Sequence, residues 1–213
     1  MNKFLAILAS GFILLSYTNL KADTVLGVTA GFHSVEASGT ETLRTSAKKT
    51  NGSITEDSVL AEIFLEGIAD NGYAVGIAYI PTRDAGAKSR TDSNSNGDSG
   101  TYKAEAELDN VIQAYVDVPF TEYYGATIYG KLGIQHATVK TLESLNSGSS
   151  YPDTDMFGYT LGLGARGDLP YGDGLIYKLD ATYTDFEDYS AGAADGNGNK
   201  ITADLEDTAF KIS

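Results

Sequence analysis

Nine charged residues fall on the mixed faces of alternating stretches in this chain: Glu62, Glu66, Asp109, Asp117, Lys131, Arg166, Lys178, Asp180 and Lys211. Two chemistries are open to such a set. Brought together in a confined space, acids and bases neutralise one another as buried pairs, and any charge left alone there is costly. Spread along an open passage, they form a charged, gated path for small solutes. The basic members all lie in the second half of the chain and the acids mainly before them, so pairing requires a fold that sets distant segments across a narrow interior. Eight closed strands leave an interior only wide enough for side chains, and that favours pairs.

Other candidate chemistry is sparse. Nucleophilic catalysis needs a histidine beside a serine or an acid, and the chain has His33 and His136. Ser34 follows His33 directly, but neighbours on a strand point to opposite faces, and no serine stands two residues beyond His136. Both are expected to be ordinary polar residues near the outer rim, and no enzymatic activity is expected. Two stretches carry part of a calcium-loop signature. Asp92, Asn94, Asn96 and Gly97 match its first half, but Lys103 stands where a bidentate acid is needed; Asp195, Asn197 and Asn199 lead to Glu206, but Lys200 replaces the turn glycine. Asp, Asn and Gly are also ordinary turn residues, so no metal or cofactor site is expected.

The elements that would position the nine charges are eight strands, over 24–33, 58–67, 72–80, 107–118, 124–139, 156–167, 174–186 and 203–213. Each alternates an apolar face with a mixed one, the period of a half-buried strand. Val59, Ala61, Ile63 and Leu65 oppose Glu62, Phe64 and Glu66; Ile112, Ala114, Val116 and Val118 oppose Asp109, Gln113, Tyr115 and Asp117. Further on, Ile128, Leu132 and Ile134 oppose Lys131 and Gln135, and Leu175, Leu179 and Ala181 oppose Lys178 and Asp180. A soluble barrel explains alternation by burying the apolar face. A membrane barrel turns that face to lipid and keeps a polar lumen, which also explains why the apolar face is free of charge across the middle of the strands.

The connections favour the second reading. Segments 34–57, 81–106, 140–155 and 187–202 are long and polar and are expected to be loops, whereas 68–71, 119–123 and 168–173 are short. Strict alternation puts all the long connections at one end, expected to be the external one, as in outer-membrane barrels. Tyr73, Tyr79, Tyr123, Tyr124, Tyr159, Tyr177 and Tyr183 lie near strand ends, where an aromatic girdle would sit.

Composition sets the remaining bounds. The 213 residues suit one domain. Net charge is −14, which argues against nucleic acid as a partner. There is no cysteine, hence no disulfide framework. At the start, Lys3 precedes an apolar run from Phe4 to Tyr17, and Leu20-Lys21-Ala22 offers a small residue for cleavage. Residues 1–22 are expected to be a signal peptide and 23–213 the barrel domain. The alternative, a retained membrane anchor, has an apolar run shorter than the ~20 residues a spanning helix needs.

The signal, the eight strands, the polar connections and glycine-rich strands such as Gly158-Tyr159-Thr160-Leu161-Gly162-Leu163-Gly164-Ala165-Arg166 resemble the small outer-membrane β-barrel superfamily, which includes the opacity-type surface antigens and the OmpA transmembrane domain. The resemblance spans the whole mature chain and implies an all-β, eight-stranded, antiparallel, up-and-down transmembrane barrel in the outer membrane of a Gram-negative-type bacterium. It also implies outer-membrane lipid and the barrel-assembly machinery as partners, and a monomer. Members usually end on an aromatic residue that the machinery reads, whereas this chain ends Lys211-Ile212-Ser213, so a truncated C-terminus is expected. The expected function is structural and surface-contacting, with acidic segments displayed outside; the alternative is a narrow porin-like channel for small solutes.

Overall fold

The computed structural model describes residues 22–44, 47, 49–92, 100–142, 150–170, 174–194 and 198–213. The expected signal segment, apart from Ala22, lies outside them. So do Asn94, Asn96 and Gly97 of the first calcium-like stretch and Asp195 and Asn197 of the second.

Among the described residues, ten strand segments follow in order: β1 (Ala22–Thr42), β2 (Lys49–Ala69), β3 (Ala74–Ile80), β4 (Arg83–Asp92), β5 (Gly100–Tyr123), β6 (Ala126–Thr141), β7 (Thr154–Asp168), β8 (Ile176–Phe186), β9 (Tyr189–Gly192) and β10 (Lys200–Ile212). They make eight staves, because β3 and β4 are two parts of one wall strand, as are β8 and β9. Pro81 lies at the first break, where it cannot donate to a ladder. Every pairing is antiparallel, and β1 also pairs with β10, from Ala30 opposite Ile212 to Thr42 opposite Lys200. That pairing closes the sheet into a barrel.

Short connections join the staves at the end where β1 begins. Gly72, with φ +82°, turns β2 into β3, and Tyr124 and Gly125 (φ +48° and +80°) form a two-residue hairpin turn between β5 and β6. Positive φ at both central positions matches the right-handed twist of the flanking strands. The expected short connection 119–123 is instead strand. Its residues continue β5 beyond a register shift between Pro119 and Thr121, and they pair with β6.

The larger correction is at the opposite, far end. Most of the residues expected as long loops are paired strand. Residues 34–42 and 49–57 zip together in continuous register, 83–92 pair with 100–108, and 200–205 pair with β1 and, over 200–203, with β9. Besides the two strand breaks at 81–82 and 187–188, the strands at this end are separated in sequence by 43–48, 93–99, 142–153 and 193–199. Polar side chains do not prevent pairing, since the ladder is made by the backbone and requires only that each N–H and C=O finds a partner. The barrel wall therefore runs well past its apolar stretch.

Outside, that stretch is a belt. Leu26, Val28, Val59, Ile63, Leu132, Leu161, Leu163, Leu179, Phe210 and Ile212 are all exposed, Leu26 at 75% and Leu163 at 61%. Exposed aromatics flank it, with Tyr73, Phe120, Tyr123 and Tyr124 near the short turns and Phe32, Tyr79, Tyr159 and Tyr183 on the other side. An uncharged apolar band between two aromatic rings on a closed barrel is the architecture of the small outer-membrane barrels.

Candidate functional site: the charged lumen

Inside the belt the strands turn their mixed faces to one another. Eight of the nine expected charges are there. The lower cluster, next to the short turns, is neutral: three acids, Glu66, Asp117 and Asp180, meet three bases, Lys131, Arg166 and Lys178. Asp117, with no exposure, is its centre. Its carboxylate lies 3.0 Å from Lys131 Nζ, 3.1 Å from Lys178 Nζ and 3.7 Å from Arg166 Nη1. Lys178 also pairs with Glu66, and Arg166 donates to the carbonyl of Gly72 in the β2–β3 turn.

Two tyrosines complete this cluster. Tyr115 donates to Glu66 Oε2 at 2.8 Å and Tyr129 to Asp180 Oδ1 at 2.9 Å. Lys131 Nζ sits 3.7 Å from the centroid of the Tyr115 ring, close enough for a cation–π attraction. Both rings lie flat over glycines, Tyr115 over Gly76 and Tyr129 over Gly164, where any Cβ would collide with the ring. The glycines that mark these strands are thus the space the tyrosines occupy.

Above the lower cluster comes a neutral polar layer. Gln113 and Gln135 donate to Thr160 at 3.1 and 3.3 Å, and Gln135 also donates to Thr184 at 3.0 Å. Beside it runs the second charged cluster, which contains three residues that the sequence reading did not single out as lumen charges. His33 is fully buried, not a rim residue. Its Nε2 is 2.7 Å from Glu62 Oε1 and its Nδ1 2.9 Å from Asp207 Oδ2. Lys211 donates to the other Glu62 oxygen at 2.9 Å, and Arg83 donates to Asp207 at 2.7 Å. With a carboxylate at each ring nitrogen, His33 can donate on both sides only as the imidazolium.

Arg83 went unseen because it falls in a segment expected as loop, and Asp207 because the last strand was judged from its terminal residues alone. A sequence signal existed for Asp207, which keeps the inward parity of Ala209 and Lys211; Arg83 had none, because it stands at the opposite parity to Ile80 across the break at Pro81.

Asp109 is the exception among the nine. A bulge sets Asn110 and Val111 opposite Ala137 alone, with Asn110 at φ +52°. The extra residue reverses which face of β5 points inward. Leu108 is therefore inside, and Asp109 joins Thr138 on the outer side, where it pairs with Lys140 at 2.5 Å and accepts from Thr82. His136 also faces outward, edge-on to Phe157 with ring centroids 5.2 Å apart.

Toward the far end the interior changes character. Val35, Ile80, Leu108, Val111, Ala137, Met156, Phe186 and Leu205 pack into a buried apolar core across the barrel. The lumen is thus filled by ion pairs over one part of its length and chiefly by hydrocarbon over the next, with the Arg83–Asp207 pair, cross-strand from Leu108 and Val35, at the boundary.

No protein-family model matches the chain, and no curated protein does. Among solved structures, the attachment invasion locus protein Ail of Yersinia pestis overlaps 86% of this chain and 98% of its own in complex with the heparin analogue sucrose octasulfate, at 12% identity and a TM-score of 0.33. A second structure of Ail gives 87%, 98%, 14% and 0.31. A Pseudomonas aeruginosa FadL homologue overlaps 92% of this chain and 64% of its own, at 10% identity and a TM-score of 0.30. Superpositions this loose decide nothing about the chain, whose architecture rests on its own strand pairing.

Proposed function

We propose that this chain is a closed, non-conducting outer-membrane barrel that holds an acidic, strand-built platform outside the cell, and that it serves surface contact and envelope integrity. The observation that carries this reading is the two-part filling of the lumen, charge pairs beneath an apolar core. An ion entering from either side would have to break buried pairs or cross hydrocarbon, and both are costly. The far end is taken as the external one, because the short turns lie at the other. In the sequence of these strand ends the acids Glu36, Glu41, Glu56, Asp57, Asp84, Asp92, Glu105, Glu107, Asp204 and Glu206 outnumber the bases Lys49, Lys88, Arg90, Lys103, Lys140 and Lys200. Outer-membrane lipid around the belt, delivery by the barrel-assembly machinery after loss of a signal peptide, and a monomeric state belong to the same proposal.

Planar-bilayer recording on the purified protein tests it. The expected result is no steady current at any applied potential. Reproducible single-channel steps would overturn the reading in favour of a narrow solute channel.

A further inference from the structure

Beyond the apolar core, the extended far end of the barrel is hollow. A cavity of about 310 Å³ opens there between the inner faces of β1, β2, β4, β5 and β10. We propose that it is a binding site for a small, uncharged, apolar molecule. Small-molecule sites span about 300–1,000 Å³ and are mostly apolar; the hydrocarbon of this wall comes from residues such as Ala37, Ile54, Ala85, Ala106, Ile201 and Ala203, with serine, threonine and asparagine residues among them.

The residue sizes make the hollow. One level below, the inner wall carries Val35, Ile80, Leu108, Val111, Met156 and Phe186, which meet across the barrel. At the cavity the same inward parity carries alanines, so the wall stays apolar but the space is not filled. Interiors pack densely, and an unfilled apolar space gives up contacts that larger side chains would supply. Stability alone therefore does not explain alanine here, whereas room for a guest does.

The floor and rim restrict the guest. Leu205, Val139 and Tyr189 form the floor, and the apolar core under them separates the cavity from the charged lumen. A molecule that enters is held, not passed on. At the rim, Glu41 and Glu105 stand with Lys88, whose Nζ lies 3.4 Å from the Ser53 carbonyl, and Lys103 already pairs with Glu105. Two carboxylates and two ammonium groups balance at the rim, and the apolar wall below would leave a charged headgroup without partners, which favours an uncharged guest. A helical peptide, ~10 Å or more across with its side chains, is too large.

The test is titration of the full barrel in lipid nanodiscs with N-phenylnaphthylamine, an uncharged apolar dye that brightens in apolar surroundings, with empty nanodiscs as the baseline. The expected result is a saturable, one-to-one signal above the baseline, displaced by toluene. Ala203→Phe, which fills the space, and Ala106→Asp, which places a carboxylate in it, should each weaken binding by roughly tenfold or more. The sulfonated analogue of the dye should bind more weakly than the neutral one. Heat-modifiable migration on a gel identifies folded variants, and the unmodified protein decides alone if a variant does not fold. A signal no greater than that of empty nanodiscs overturns the proposal. So does saturable binding that both folded variants leave unchanged.

Discussion

Two stretches of one barrel use the same two-residue alternation with opposite sign. Along the belt, Leu26, Val28 and Phe32 point out of β1 while Thr29 and His33 point in; a few residues later Val35 is fully buried and Glu36 is exposed. On β10, Leu205 is inside and Phe210 and Ile212 are outside. On β1, β2 and β10 the backbone does not change, since these three strands run through both stretches without interruption. What changes is the surroundings. Where lipid surrounds the wall, hydrocarbon faces out and the polar groups must satisfy one another inside. Where water surrounds it, charge faces out and the interior packs like that of a soluble protein. The comparison teaches that hydrophobicity alone does not orient a strand of this kind, because the solvent on its outer face does.

The largest effect of a substitution is expected in the charged stretch. Asp117→Leu leaves Lys131, Lys178 and Arg166 with too few carboxylates and should cost about 4 kcal/mol, as expected when one partner of a buried ionic cluster is removed. Adding Lys131→Met should restore much of the loss, because no lone charge then remains. Denaturant unfolding of both variants in detergent measures this, and an unstable double variant equal to the single one would mean that the cluster is not a paired unit.

In the apolar core the relevant change is size, not charge. Leu108→Ala should cost about 3 kcal/mol through lost burial and the cavity left behind. It should also be insensitive to salt and pH, unlike the changes at Asp117. If unfolding titrations showed Leu108→Ala to be neutral, that stretch would be loosely packed and the proposed seal would fail.

The smallest effects compare the two outer faces. Leu163→Arg sets a charge against lipid and should cost about 2–3 kcal/mol, falling with distance from the bilayer midplane. Thr55→Arg, on the outward face beyond the belt, should change stability by less than about 0.5 kcal/mol. Equal penalties at the two positions, measured in lipid vesicles, would mean that the belt is not where hydrocarbon ends.

Much of the near stretch could be read from sequence, because a single rule held there without interruption. Glu62, Glu66, Lys131, Arg166, Lys178, Asp180 and Lys211 all share the parity opposite to a run of apolar residues, so their inward direction followed from counting. Asp109 defeated the count, because one extra residue at Asn110 reverses the face and nothing in Leu108-Asp109-Asn110-Val111 marks a bulge. The far stretch was misjudged for a different reason. Its serines, threonines and acids have the composition of loops, yet Val35 and Ala37, Ala104, Ala106 and Leu108, and Ile201, Ala203 and Leu205 already alternate. Their apolar parity is inverted relative to the belt, and a search for one constant face discards it.

The class of fold follows from patterns visible along the chain: alternation at period two, an even set of strands, short turns at one end, and a charge-free face that only lipid or a core can cover. Those properties are local, since each depends on residues within a few positions of one another. Which charges meet depends instead on how the closed barrel brings its strands together. His33 lies between Glu62 and Asp207, and Asp117 among Lys131, Lys178 and Arg166, because barrel closure and register bring strands far apart in the chain across a few ångströms. Register is set by the summed fit of whole strands and their bulges, and no short stretch of sequence carries that sum.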